Sequence, residues 1–427
     1  MKIRLGRPSS PTITQASVSQ RLAHAKALTY RLGVCGLLWL AVLTTAPKAA
    51  RADGSSGPKP GEVDISGYLD LYYLINARSP YPAAVLTTTD GEKIGIDNVG
   101  RSFDINDREL SLSLLELNIV RNEGKGIPFS ITATLTTGDT ARLVHATEPG
   151  GTAAWQTIQQ LYLTKTLNIM KHPVTFDAGI FVTSFGYEVI ESAKNDEYSR
   201  SFGFQYAIPF YHAGLRATTP LSKTLTIQGG LVNGWNDIAD DNDAKSGFVQ
   251  LSWAPNASLT TNLTYMGGLE GTGAYGPALA PIHKGGIDTN LFEIQPTYQV
   301  TKDLKLAAEV DYGQGAGNVG ATHYSGYWTD IAGYARYQLT PKLAVAARYD
   351  QFEDIAGVGG AGLRLGLPGY TVLREATLTL EYSLFKNQVL TRLEYRHDHA
   401  NKPFFLGGHG TTTTDQDTFT LAAVVKF

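Results

Sequence analysis

Across 427 residues the chain is 18% charged and 43% hydrophobic, with a net charge of −3 and one cysteine. Apart from one short run near the start, no stretch approaches the roughly 20 apolar residues of a membrane helix, which excludes a helical membrane protein. A single cysteine excludes a disulfide framework within the chain, and the acidic balance argues against nucleic-acid binding.

The first predicted element is a secretory signal over residues 1–52. Arg21, Lys26 and Arg31 precede the apolar run Leu32 to Thr44, and Ala50-Arg51-Ala52 follows it. That is the order of a basic segment, a hydrophobic segment and a small-residue cleavage site. Cleavage before Asp53 removes Cys35 with eight Lys and Arg and no acid, leaving 28 basic against 39 acidic residues, a net charge of −11. A periplasmic linker of Gly, Pro and Ser character, 53–61, comes next.

From residue 62 onward, period-two segments of about ten residues alternate with turn signals, the pattern of a transmembrane β-barrel. Strands are predicted at 62–75, 108–120, 127–137, 154–168, 173–185, 206–219, 224–234 and 245–254. They continue at 258–268, 289–301, 303–313, 326–340, 342–353, 370–385, 388–398 and 417–427. The fold class is therefore all-β, an antiparallel barrel of about sixteen strands, an even number as bacterial barrels have. Two places are less regular: Leu110 to Leu115 changes phase, as a bulge would make it do, and the parity of 154–168 is open. Connectors alternate between short turns, such as Pro255-Asn256-Ala257 and Lys386-Asn387, and long Gly-, Asp- and Thr-rich segments such as 76–107 and 186–205. That alternation is the asymmetry of periplasmic turns and extracellular loops.

The last strand shows which face is which. Phe419, Leu421, Ala423, Val425 and Phe427 share one apolar face, taken as outward. On that parity Tyr73, Tyr265, Tyr312, Tyr349 and Tyr395 fall at extracellular strand ends, and Trp253, Tyr298, Tyr337, Tyr382 and Phe427 at periplasmic ends. Amphipathic rings prefer the membrane interface, so these ten are read as two girdles. The inward parity collects charge, including Asp70, Glu116, Glu293, Glu309, Asp311, Asp350, Glu375 and Glu394, and such a face is expected to be wet.

Specific text lies in the middle of the chain: Phe185-Gly186-Tyr187-Glu188, Tyr198-Ser199-Arg200, Pro209-Phe210-Tyr211-His212 and Asn233-Gly234-Trp235-Asn236. These segments resemble the OmpL-like β-barrel porins of the bacterial outer membrane, most densely over 173–254, and the terminal Phe resembles the sorting signal of outer-membrane barrels. The resemblance implies an outer-membrane channel for small hydrophilic solutes or ions, set in lipid and assembled by the barrel-assembly machinery through its C-terminal strand. A homotrimer is implied by likeness to sixteen-stranded porins. In such porins the third long loop enters the barrel. Here that is 186–205, which would project Glu188, Glu191, Asp196 and Glu197 into the lumen with Arg200 beside them. Inward Arg216, Arg348, Arg392 and Arg396 would face them as a basic wall, and opposed charges at a constriction set a transverse field. The acidic excess points to a modest cation preference that clustered Arg can reverse locally. The alternative is a structural or adhesive barrel with a plugged lumen; about sixteen strands favours the channel.

No catalytic residue, metal ligand or cofactor is assigned. Gly357-x-Gly359-x-x-Gly362 lacks a surrounding βαβ unit, and His397-Asp398-His399 at a strand end is not read as a set of converging metal ligands. His212 could suggest a phospholipase-type triad, but no serine in a nucleophile context accompanies it.

Overall fold

The computed structural model describes residues 61–427 except 125, 276–285, 320–321 and 359. The predicted signal, and the predicted linker up to residue 60, lie outside the described residues. Sixteen antiparallel strands close into one barrel. In chain order they are β1 (Val63–Asn76), β2 (Leu110–Arg121), β3 (Ser130–Thr137), β4 (Ile158–Ile169), β5 (His172–Val182), β6 (Tyr211–Pro220), β7 (Leu225–Val232) and β8 (Ser246–Asn256). The second half holds β9 (Leu259–Glu270), β10 (Ile287–Gln299), β11 (Leu304–Val319), β12 (Thr322–Thr340), β13 (Leu343–Ala356), β14 (Tyr370–Leu384), β15 (Val389–Ala400) and β16 (Asp415–Lys426). Each strand pairs with its sequence neighbours, and β16 returns to β1 in the register Tyr73↔Leu421. Closure leaves no sheet edge unpaired, which a spanning sheet requires in lipid. Among the described residues no helix is long and apolar enough to cross a membrane.

The seam shows how the terminal residue is held. Gly67 N–H donates to the Phe427 carbonyl at 2.8 Å, and Phe427 N–H returns to the Gly67 carbonyl at 3.1 Å. The Phe427 ring occupies the space above Gly67, where a Cβ would stand 2.5 Å from it. Glycine is what lets the aromatic lie flat across the seam.

Both irregular places have a structural cause. The β1–β2 register slips between Asp70 and Leu71, so Ser111 and Ser113 point inward before the slip and Glu116 after it. A second slip between Thr134 and Leu135 leaves Gln159 as an extra residue on β4, beyond which Leu161 and Leu163 face outward. The predicted loop 314–325 is instead mostly strand, because β11 and β12 run on as a tall hairpin. Its Gly315-x-Gly317 text reads as loop but serves packing: a Cβ on Gly315 would lie 2.8 Å from the Ile287 side chain and 2.8 Å from the Tyr275 hydroxyl. Likewise 206–210, predicted as strand, comprises the end of a short helix (Phe202–Tyr206) and the chain that follows it.

Eight of the ten predicted girdle aromatics are exposed on the outer face; Tyr265 and Tyr298 are half-buried there. Inside, the expectation of a wet wall needs correction. Toward the long-connection end, inward Phe181, Phe248, Met266, Leu291, Trp328, Phe352 and Leu373 form an apolar core with Phe185, Phe202, Phe204, Phe210 and Trp235 from the connections. The barrel is packed like a protein interior at this level, and the Arg364 guanidinium lies among the rings of Trp235, Trp328 and Tyr275.

Candidate functional site

The segment between β5 and β6, residues 183–210, runs among inward side chains of the barrel, and its backbone is held by carboxylates from the wall. Gly186 N–H donates to Glu293 on β10 and Tyr187 N–H to Glu309 on β11, each at 2.5 Å. Phe202 N–H donates to Asp350 on β13 at 2.6 Å. Tyr198 N–H and Ser199 N–H share Glu394 on β15, at 2.6 and 3.1 Å. A segment without ladder partners must satisfy its buried amides elsewhere, and charged acceptors make the strongest such bonds. Ser201 caps the short helix by accepting from Phe204 N–H at 3.0 Å.

The predicted constriction residues come together with one exception. Glu188 meets Arg348 at 2.6 Å, and Arg348 also bonds the Ser199 carbonyl at 2.8 Å and pairs with Glu375. Arg396 pairs with Asp398 at 2.6 Å and with Glu375 at 3.7 Å. Arg392 holds Glu381 at 2.7 Å and the carbonyls of Ser192, Asn195 and Glu197 at 2.6, 2.6 and 3.0 Å. Arg200 folds back on its own segment, donating to the carbonyls of Val189, Ile190 and Tyr198, and its guanidinium lies 5.1 Å from the Phe103 ring centre. Glu191 meets Lys194 at 2.9 Å; Asp196 meets Lys305 at 2.9 Å and the Tyr187 hydroxyl at 2.5 Å. Arg216 is the exception. It sits on β6, pairs with Asp177 at 2.9 Å and lies over Phe181 at 4.3 Å, with no loop carboxylate as partner.

These contacts change the electrostatic expectation. Loop carboxylates and wall arginines are expected to face each other across a gap; instead Glu188 is buried against Arg348, and Arg392 and Arg396 are buried against backbone carbonyls of the segment. Burial also raises the Glu197 carboxyl well above the usual carboxylate range, against the pull of Arg348, and neither of its oxygens has a hydrogen-bond partner. Sequence reasoning missed Asp330 on β12, which shares the parity of inward Arg336 and could have been found from it. It also missed that the wall carboxylates anchor the loop backbone.

The opposite wall is different in kind. On β2 to β10 the inward side chains at mid-height are mostly neutral, and they bond one another from strand to strand. Gln160 donates to Thr134 at 3.2 Å and Thr134 to Asn118 at 3.0 Å. Gln228 donates to Thr218 at 2.9 Å, Ser252 to Asn262 at 2.7 Å and Asn262 to Gln295 at 2.7 Å. Asn118, Gln160, Gln228, Gln250 and Asn262 are all half-buried, and of these Gln228 accepts from the Ser184 hydroxyl and Gln250 donates to the Ser184 carbonyl at 2.6 Å, at the start of the segment.

The family model described as "Putative beta-barrel porin-2, OmpL-like" matches residues 62–427, the whole barrel. The chain belongs to this porin family. The protein is thus an outer-membrane porin of bacteria, and family membership decides for a channel over the structural or adhesive barrel. Solved structures agree on the fold. The anion-selective porin from Comamonas acidovorans matches at a TM-score of 0.54 with 12% identity, over 86% of this chain and 100% of that one. Outer-membrane expressed OmpT of Vibrio cholerae matches at 0.53 with 12% identity, over 87% and 99%. The outer membrane channel DcaP of Acinetobacter baumannii matches at 0.50 with 10% identity, over 86% and 98%. No curated protein matches the porin in sequence.

Proposed function

We propose that this porin is a passive channel for small hydrophilic solutes and ions, with no catalytic step, that segment 186–205 forms its constriction, and that its periplasmic mouth favours anions. One observation carries the anion preference. Around a cavity of about 260 Å³ beneath the loop, lined by Lys194, Asp196, Arg336, Glu381, Arg392 and Lys426, the base is the more exposed partner in three ion pairs, and buried Arg392 with Glu381 reverses the order. Side-chain exposure is 48% for Lys194 against 6% for Glu191, 31% for Lys305 against 8% for Asp196, and 20% for Arg336 against 8% for Glu381. A solute at that mouth meets ammonium and guanidinium groups while the carboxylates are turned into the protein, so the local field opposes the acidic net charge of the chain. Reversal potentials across a KCl gradient in planar bilayers test this. The wild type is expected to favour chloride, and the Lys194→Ala/Lys305→Ala/Arg336→Ala variant to shift toward potassium. A cation-selective wild type, or a potential unmoved by the triple substitution, would overturn the reading.

Export and assembly complete the proposal. Signal 1–52 directs export, and the mature N-terminus should read from Asp53. The outward apolar band meets lipid, and β16 with Phe427 engages the barrel-assembly machinery, so deleting Phe427 should lower the amount of heat-modifiable barrel in the outer membrane. A homotrimer is the proposed assembly, checked by native mass spectrometry in detergent.

A further inference from the structure

The row of carboxylates behind the loop is not explained by holding the loop alone. Glu293, Asp311 and Asp330 stand side by side on β10, β11 and β12, joined by the registers Glu293↔Asp311 and Asp311↔Asp330, with Glu309 on the same face of β11. All four are buried, none more than 4% exposed. Glu293 and Glu309 each use an oxygen for a loop amide. Asp311 and Asp330 meet no donor with either oxygen; each lies against another carboxyl, Glu309 and Asp350 respectively. Among the described residues none of the four is in an ion pair: Lys305 is committed to Asp196, and Arg348 to Glu188 and Glu375. Adjacent carboxylates stripped of water cannot all stay ionised unless a cation neutralises them.

The geometry points to a divalent metal site. One oxygen each from Glu293, Glu309 and Asp311 lie within 4.8 Å of one another. Two oxygens bound to one calcium at roughly 2.4 Å can be no further apart than roughly 4.8 Å, and every pair among the three meets that limit for a shared ion. We propose that Glu293, Glu309 and Asp311, with the bare carboxylate of Asp330 beside them, bind one calcium ion inside the barrel. The donors are all oxygen, the choice of a hard cation, and a site this closed lacks the water shell that magnesium keeps. Glu293 and Glu309 would then bind the ion with one oxygen and the Gly186 and Tyr187 amides with the other, so the metal fixes the carboxylates that hold the start of the loop. The sequence assigned no metal ligand because the four acids are spread over 37 residues on three strands, without a loop motif.

The test uses the full barrel refolded from urea into detergent micelles with calcium chloride or with EDTA, then passed over chelating resin. Metal content is read by mass spectrometry and the melting temperature by circular dichroism. The wild type refolded with calcium should retain about one calcium per barrel and melt higher than the EDTA sample; magnesium should give neither effect. Asp311→Asn/Asp330→Asn should hold no calcium and melt at the same temperature in both conditions, and Asp330→Asn alone should hold it at least tenfold more weakly. A wild type that retains no calcium, or a double variant that retains as much as wild type, would overturn the proposal. The wild-type measurement decides even where a variant fails to fold.

Discussion

The two sides of this barrel solve the same problem in opposite ways. Strands β11 to β15 carry Glu309, Asp311, Asp330, Arg348, Asp350, Glu375, Arg392, Glu394 and Arg396 inward, and every one is buried beneath segment 183–210. Strands β2 to β10 carry mainly amides and hydroxyls at the same height, and many of these stay half-exposed. An ionised group out of water needs a partner of matching charge or several donors, so the charged wall recruits a loop and becomes dry. An amide carries both donor and acceptor, so neighbouring Asn, Gln, Ser and Thr satisfy one another across strands and can keep facing water. The charged wall therefore works as a clamp, and we propose the neutral wall as the surface left for solute.

This contrast can be broken most severely at Arg348. Arg348→Met strands Glu188 and Glu375 in a buried site, and removing one partner of such a pair costs about 3–5 kcal/mol. The unfolding free energy from urea titration in micelles should fall by that amount. Ser252→Ala on the neutral wall should cost about 1 kcal/mol, the scale of its one neutral hydrogen bond to Asn262. Equal losses would erase the distinction between the walls.

A weaker blow falls on the loop amides. Glu394→Ala leaves Tyr198 N–H and Ser199 N–H without their acceptor, at about 1–3 kcal/mol. Their amide exchange, followed by mass spectrometry on peptides spanning 195–202, should speed up while that of the β7–β9 strands stays unchanged. Unaltered exchange at 198 and 199 would mean that Glu394 does not hold the loop.

A pH-dependent effect lies above the neutral wall, in the β7–β8 connection. Burial, with Asp241, Glu148 and other acids nearby, raises the Asp237 carboxyl to about 8. A carboxyl raised on folding binds its proton more tightly in the folded state, so its stabilising share is present near pH 4 and is lost as pH rises through about 8. Thermal melts should therefore show wild type losing stability relative to Asp237→Asn between pH 5 and 9. Parallel pH profiles would contradict that environment.

How far the sequence reached depends on the range of the signal. Alternation along each strand and the long–short rhythm of connectors are local, so the sixteen strands and the outward face of β16 could be read directly. Inward parity likewise placed Arg348, Arg392 and Glu394 correctly. Pairing was beyond reach: Glu188 meets Arg348 and Tyr198 meets Glu394 across long separations that only closure of the barrel brings together. Gly315 and Gly317 of β11 misled because a residue emptied to admit Ile287 and Tyr275, or a close backbone, looks like one emptied to make a turn. Net charge carries no position: it counts Glu191, Asp196 and Glu381 equally with the more exposed Lys194, Lys305 and Arg336 beside them.

Cysteine accessibility compares the walls most directly. In the mature barrel, single cysteines at Gln228, Gln250 or Asn262 on the neutral wall, and at Thr377 or Thr379 on the charged wall, are challenged with a cationic methanethiosulfonate during single-channel recording. The first three should react and cut the current stepwise, and the last two should stay inert behind the loop. Block at Thr377 or Thr379 with silence at Gln228, Gln250 and Asn262 would place the path on the other side of the barrel and contradict the account.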